Sequence, residues 1–408
     1  MRASSRLRVL PSLLLAAAVA EGARRLLTPR SKPIVPAPVD LRTYFSDEEI
    51  ERGRSFARPQ RALGLARAGV EVAALSLVIL HPPSVIARSW SRPLAGGAAV
   101  GALLSIGLSA PPLPLAAISR RRAIAAGLDT QSWAGWAGDL AKAGAIGTAF
   151  AAAAGAAVVG VTRRYPRYWW VPAAGGSVVF GALLAALAPV VLDPLFNTFT
   201  PLPEGETRSD VLELAAAAGV KVGEVYSVDA SRRTTAANAY VTGLGPTKRV
   251  VLYDTMLDRY SRDEVRLVVA HELAHVRHRD VPRSVAYVAI VAPALGLAVQ
   301  RLSWALSPER GTPATLPALA LAAAVASGLV GLAGNRLSRA VERRADQFAL
   351  ELAGAPEAFV SFERSIALQN LADLEPPRWV TRLLATHPPT AERIGAAVAF
   401  SRRSPVAA

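Results

Sequence analysis

No cysteine occurs among the 408 residues, which excludes disulfides, thiolate nucleophiles and cysteine metal ligands and leaves redox compartment unreadable. Aromatic residues make up only 6%, and there are four lysines: Lys32, Lys142, Lys221 and Lys248. Basic residues interleaved with aromatics, the usual footprint of a nucleic-acid surface, are missing, so no nucleic-acid partner is expected. Positive charge is nevertheless plentiful. The net charge of +15 is almost all arginine, gathered at the ends of apolar blocks, and membrane topology explains that placement better than DNA does. Together with the high alanine content, it points to a GC-rich prokaryotic genome.

The chain has apolar length in abundance. Hydrophobic residues make up 52%, mostly Ala, Leu and Val in blocks, and a bilayer-spanning helix needs about 20 such residues. Seven segments stand out: Val9 to Ala20, Ala68 to Leu80, Leu94 to Ile118, Ala143 to Val161, Trp169 to Leu192, Val285 to Gln300 and Ala314 to Gly334. The third is interrupted by Pro111, Pro112 and Pro114, and Trp169 and Trp170 sit as interfacial anchors on the fifth. The second and sixth are short for a full span and imply tilt, flanking turns or burial within a bundle.

The first segment has a rival reading. Arg2, Arg6 and Arg8, an apolar stretch and Ala18-Val19-Ala20 together resemble a secretory signal peptide. Cleavage would place residues 21–67 outside the cell, yet that stretch carries ten basic residues: Arg24, Arg25, Arg30, Lys32, Arg42, Arg52, Arg54, Arg58, Arg61 and Arg67. Retaining all seven spans puts it on the cytoplasmic side with the Arg120-Arg121-Arg122 loop and the arginine-rich C-terminal region, as the positive-inside rule favours. The expectation is a mainly α, multi-pass cell-membrane protein. Residues 1–192 form a five-span region, 193–283 a soluble α+β insert, 284–335 a transmembrane hairpin and 336–408 a C-terminal helical region.

Within the insert, Glu206 to Ala218 has helical apolar spacing ended by Gly219. Val222 to Val228, Ala237 to Thr242 and Arg249 to Tyr253 read as short strands. Ser261 and Glu264 form a capping-box pair that starts the next helix. That helix carries His271-Glu272-Leu273-Ala274-His275, an HExxH pattern. Residues i and i+4 share a helix face, so the two imidazoles can hold one zinc ion, and Glu272 can take a proton from the water the metal activates.

A hydrolytic zinc site needs a third protein ligand and an open position. On the helix after the seventh span, Arg336 to Ala353, Glu342 and Asp346 stand one turn apart. Glu342 could ligate while Asp346 accepts the free ring N–H of a ligand histidine. The alternative is a solvated charged helix paired with its own arginines. In Thr386-His387-Pro388-Pro389, His387 could donate to the oxyanion formed on a carbonyl, with Arg393 as a second donor; the alternative for His387 is an ordinary surface loop. His81 and His278 receive no role.

In combination these residues resemble the CAAX prenyl protease 1 family of integral-membrane zinc metalloproteases, from about Tyr44 onward. The motifs that carry the likeness are Tyr44-Phe45-Ser46, Gly127-Leu128-Asp129 leading to Asp139 and Lys142, Pro194-Leu195-Phe196-Asn197, Asn238-Ala239-Tyr240, Gly243-Leu244-Gly245, Val250-Val251-Leu252-Tyr253-Asp254-Thr255, the HExxH, Ser338 to Asp346, and His387 to Arg393. The resemblance implies His271, His275 and Glu342 as ligands of one zinc ion per chain and Glu272 as the activating base. It implies Asp346 as the residue behind a ligand, and His387 with Arg393 on the oxyanion side. Asn238, Ala239 and Tyr240 become a substrate-binding edge used by strand addition. The implied fold is a ring of seven helices around a water-filled chamber with the zinc site at its cytoplasmic end, with Glu71 and Asp139 as candidate chamber-lining residues. Ala125 and Ala126 replace an acid the family often carries there, which affects local packing only.

The function expected is a membrane-embedded zinc metalloendopeptidase acting on a peptide or protein, lipidated or membrane-associated, in contact with membrane lipids. In a bacterial host, prenylated proteins are not an expected substrate. An HtpX-like quality-control protease shares the metal motif but is shorter, with fewer spans. From another class, a silent membrane transporter or scaffold would show paired repeats, which are not seen.

Overall fold

A computed structural model describes residues 9–243 and 248–403. Arg2, Arg6 and Arg8, the Leu244-Gly245 part of Gly243-Leu244-Gly245, and the last five residues lie outside the described residues.

The first apolar block is one part of a longer helix, α1 (Val9–Leu27), continuous through Ala18-Val19-Ala20. Ala16, Ala20 and Ala23 bury its small-residue face against Val291, Ala298, Ala326 and Val330 of the C-terminal hairpin. The short second block is likewise the end of a 34-residue helix, α2 (Asp47–Leu80). Its polar first half is helical because Ser46 and Glu49 form a reciprocal capping box. Ion pairs then hold that half on the C-terminal region: Arg54 with Glu375 at 2.5 Å, Arg61 with Asp373 at 2.9 Å, and Glu49 with Arg364 at 2.8 Å.

The third block breaks where its prolines require it. Helices α3 (Pro93–Ser109) and α4 (Leu113–Ala125) meet at a 47° bend. Helix α3 lies on α5 (Trp133–Arg164) at backbone contact distance. A Cβ added at Gly155 would sit 2.2 Å from the Gly97 carbonyl oxygen, and one at Gly101 would sit 2.2 Å from that of Ala151. Lipid offers no hydrophobic drive between helices, so small residues that permit close backbone approach carry such a crossing. Arg120, expected as a topology charge, is instead buried: it pairs with Asp129 at 2.6 Å and donates to the Gln131 carbonyl, organising the turn into α5. Asp139 pairs with Arg233 of the insert at 2.9 Å, so it fastens α5 to the soluble part; Glu71 is exposed on α2.

After α6 (Trp170–Val191), a four-stranded sheet forms from β1 (Phe199–Pro201), β2 (Glu224–Val228), β3 (Ala239–Thr242) and β4 (Arg249–Tyr253), in the order β1-β2-β4-β3. β2 and β4 are parallel and both outer pairs antiparallel, with Tyr226 and Tyr240 flanking Val251. β4 is buried on both faces, which is why Val250, Val251 and Leu252 run without polar alternation. Helix α7 (Glu206–Ala217) and the HExxH helix α8 (Arg262–Arg277) pack on the sheet through Val211, Leu214, Val265, Val269 and Leu273. The chain then returns through the hairpin α9 (Asp280–Leu306) and α10 (Leu316–Ala353), and ends in α11 (Pro356–Gln369) and α12 (Thr390–Arg403).

Among the described residues, five helices are long and apolar enough to cross a membrane, six if the bent α3–α4 pair is one span, and α1 packs beside the last two. These helices pack loosely on one another. The chain exposes 20970 Å², whereas a solid globule of 42.8 kDa would expose about 15,000 Å². Of the most apolar windows of α2 and α5, only 6% and 11% of residues are buried, against 50% for α10.

The α3–α5 crossing gives a direct test. Gly155→Leu should lower the thermal midpoint of the detergent-solubilised protein by an amount corresponding to about 1–3 kcal/mol, since the clash is with backbone. An unchanged midpoint would show that the two helices do not approach as described.

Candidate metal centre

Three faces of α8 determine the site. Val265, Val269 and Leu273, four residues apart, bind the sheet, while Leu267 packs on Leu350 and Phe359. His271, Glu272 and His275 are left on the face turned to α10. The ends of α8 are defined as sharply: the Ser261–Glu264 capping box starts it, and Arg279, left-handed at φ 57°, breaks it so that α9 begins at Asp280.

Helix α10 continues from the membrane as one 38-residue rod and sets two carboxylates, one turn apart, on either side of one imidazole. Glu342 Oε2 is 3.3 Å from His271 Nε2, and Asp346 Oδ1 is 3.0 Å from His271 Nδ1. The second imidazole completes a triangle: His275 Nε2 lies 3.3 Å from His271 Nε2 and 3.8 Å from Glu342 Oε1. Donors about 2.0–2.2 Å from a tetrahedral ion are about 3.3–3.6 Å apart, so the two 3.3 Å edges match a small four-coordinate cation, and the 3.8 Å edge, measured to the other Glu342 oxygen, lies just outside that range. Glu342 Oε2 is buried without a hydrogen-bond partner, an arrangement a cation would satisfy.

Behind each imidazole stands a carboxylate with its own arginines. Asp346 receives two hydrogen bonds from Arg393, at 2.9 and 2.6 Å, and Arg393 also pairs with the buried Glu363 at 2.6 Å. Arg393 therefore faces two buried carboxylates, not the oxyanion side expected for it, and its effect on the site runs through Asp346. His275 Nδ1 is hydrogen-bonded to Asp280 at 3.0 Å, and Asp280 is shared with Arg283 and Arg344. Asp280, Arg344 and Glu363 were not foreseen. For Asp280 a faint signal exists, an acid at the first position after the helix break; Glu363 reaches the site only through tertiary packing.

His387 is brought to the same place. Arg339 of α10 donates to the carbonyls of Arg382 (3.0 Å) and Ala385, and Asn335 to that of Leu383 (2.8 Å), fastening the preceding loop to α10. The His387 ring, 63% exposed, holds Nε2 3.4 Å from Glu342 Oε2. Strand β3 is an edge of the sheet and packs beside α8; Asn238 is exposed, Ala239 buried and Tyr240 half-buried.

The charges reinforce one another. Burial pulls the His271 imidazole down, but the Asp346 and Glu342 carboxylates outweigh it and raise it to about 10 without a metal. Burial pushes Glu272 above the usual carboxylate range, opposed by His271 and His275. Glu363 is pushed up to about 7 by burial, against the pull of Arg393. Such an arrangement can hold a cation, activate a water and move one proton.

The fold and site define a membrane-embedded metallopeptidase. Residues 201–400 match the profile of peptidase family M48, and residues 30–198 match that of the CAAX prenyl protease N-terminal, five membrane helices. The uncharacterized metalloprotease YhfN of Bacillus subtilis is 32% identical over 72% of this chain and 71% of its own length. A CAAX prenyl protease 1 homolog of Oryza sativa is 31% identical over 56% of this chain and 55% of the relative. The crystal structure of S. mikatae Ste24p superposes with a TM-score of 0.78 at 20% identity, covering 97% of this chain and 98% of that one. The chain belongs to the M48 peptidases and is a membrane metalloprotease of the CAAX prenyl protease type.

A proton on His271 competes with any cation for Nε2. Because that imidazole is held near 10, metal affinity should fall roughly tenfold for each pH unit below it. Competitive titration with a metal indicator at pH 6, 7 and 8 measures the slope. A flat profile would show that His271 carries no proton for the cation to displace over this range, and that its carboxylate partners do not raise it as described.

Proposed function

We propose that the chain is a zinc endopeptidase whose single ion is held by His271, His275 and Glu342, with Glu272 as general base. One observation carries this reading: a donor triangle of tetrahedral dimensions with Glu272 between its two histidines in sequence. Bound there, zinc would supply a Lewis acid that lowers the pKa of a water and polarises a carbonyl. Glu272 takes the proton of the attacking water; its raised basicity suits that task, and it then passes the proton to the departing amine nitrogen. His387, exposed beside Glu342, donates a hydrogen bond to the oxygen that gains negative charge on the attacked carbonyl. Asp346 and Asp280 hold the two ligand imidazoles in their orientation, with Arg393 and Arg344 neutralising them. The substrate lies extended along Asn238-Ala239-Tyr240 and adds a strand to the edge of the sheet.

We place the site on the cytoplasmic side, because the basic stretch before the second span is ion-paired to the C-terminal region that carries Arg393. The substrate is a peptide segment presented at the membrane, as in a lipidated or membrane-associated protein. A ring of helices limits access to what the bilayer delivers.

Glu272→Gln should lower peptide cleavage by about 10²–10⁴-fold while the purified protein keeps one zinc per chain by elemental analysis. Cleavage persisting in that variant would sink the mechanism. Glu342→Ala should lose the ion, and Asp280→Asn should weaken its binding by about 10–100-fold. His387→Ala should depress kcat by about 10²–10³-fold with KM little changed; a change confined to KM would assign it to substrate binding instead.

A further inference from the structure

A cleft of about 470 Å³ opens where the last turn of α1, the residues after it and the α8–α9 junction meet α10. Arg30, His278, Arg283 and Arg344 line it, with Thr28 and Leu26; no acid is among its lining residues. The one carboxylate in contact with these arginines, Asp280, is already divided among Arg283, Arg344 and His275. Arg344 is buried with Nε unpartnered, and Arg30 is exposed and makes no ion pair among the described residues. The 27-residue helix α9 begins here, adding the positive end of its dipole. Burial first, and then the charge of Arg344, pull the His278 imidazole down.

The position of the cleft identifies its occupant. It lies where α1 ends and the first turn of α9, a helix long and apolar enough to cross a membrane, begins; such an end position falls among lipid headgroups. Leu26, 66% exposed, and Leu27 line it and offer apolar surface for the start of acyl chains. A basic pocket between membrane helices with apolar flanks is suited to a lipid phosphate. We propose that this cleft binds the phosphate headgroup of an anionic lipid. The site is separate from the His271–His275–Glu342 triangle, and Asp280, bonded to His275 on one side and to Arg283 and Arg344 on the other, stands between the two. It does not depend on the peptidase reading.

The test uses the full chain reconstituted in bilayers of equal phosphatidylglycerol and phosphatidylcholine, with retained lipid read by native mass spectrometry. Phosphatidylglycerol should be retained preferentially, and less so as salt rises. Arg30→Gln and Arg283→Gln should each lower its retention roughly fivefold, about the contribution of one basic residue at a membrane surface, and leave phosphatidylcholine unchanged. Arg30 is exposed in a loop, so its variant folds even where Arg283→Gln does not. Equal retention by wild type and Arg30→Gln would overturn the proposal. So would inorganic phosphate binding in an Arg30-dependent way with no lipid retained, which would make the cleft a free-anion site. A peptide whose free C-terminal carboxylate, but not its amide, needs Arg30 while lipid retention does not would also overturn it, by assigning the cleft to substrate.

Discussion

The clasp of one imidazole between two carboxylates of a single helix is the interaction on which the rest of the structure depends. His271 is held by Glu342 and Asp346, which lie one turn apart on α10. Taking two carboxylates out of water costs several kcal/mol each unless they are paired. The neighbourhood is arranged to offset that cost. Arg393 closes on both oxygens of Asp346, and the second carboxylate beside an imidazole, Asp280, is matched by Arg344 and Arg283. Removing any one partner leaves a buried charge unmatched, so this layer binds α8, α9, α10, α11 and α12 into one unit.

The same clasp fixes the site relative to the bilayer. Helix α10 carries its membrane-spanning residues and Glu342 on one unbroken rod, and each residue advances it about 1.5 Å. From Gly334, the end of the apolar run, to Glu342 is about 12 Å along the axis. The position of the donor triangle is therefore set by helix register and not by a loop. The arginine surplus has a matching division of labour. Arg120, Arg339 and Arg344 are buried structural cations, Arg393 is half-buried between Asp346 and Glu363, Arg54, Arg61 and Arg364 join the N-terminal and C-terminal parts, and Arg233, Arg262 and Arg266 pair with acids in and around the insert.

Sequence reading succeeded where the physics is local. The histidines four apart, the carboxylates four apart and the capping box at Ser261 are all periodicities of one helix, visible without tertiary knowledge. It failed where a residue acts across elements. Asp280 is five residues past His275 but beyond a left-handed break at Arg279, so helix spacing could not bring it to the ring. Glu363 looks like any helix-surface acid until α11 is packed against α12. Arg393 was legible as an important cation but not in its direction, because Asp346 and Glu363 are assembled around it only in the fold. The second apolar block was underestimated because arginines and acids obscure the first half of α2; their partners lie more than three hundred residues away.

Hydrolysis within a membrane protein sets two opposed demands. The reacting water and the peptide must enter, which requires a hydrated, loosely packed surround; the base and the cation work best where water is scarce. The architecture separates these demands in space. The N-terminal helices bury little of themselves and leave a loosely packed surround, whereas the stretches of α8 and α10 around the donors are largely buried. Of the groups near the triangle, only His387 is well exposed, so it can meet a substrate without the metal-side carboxylates losing their desolvation. A soluble domain could build the same triangle, but it would need a lid to exclude water, which here is the work of the fixed helices.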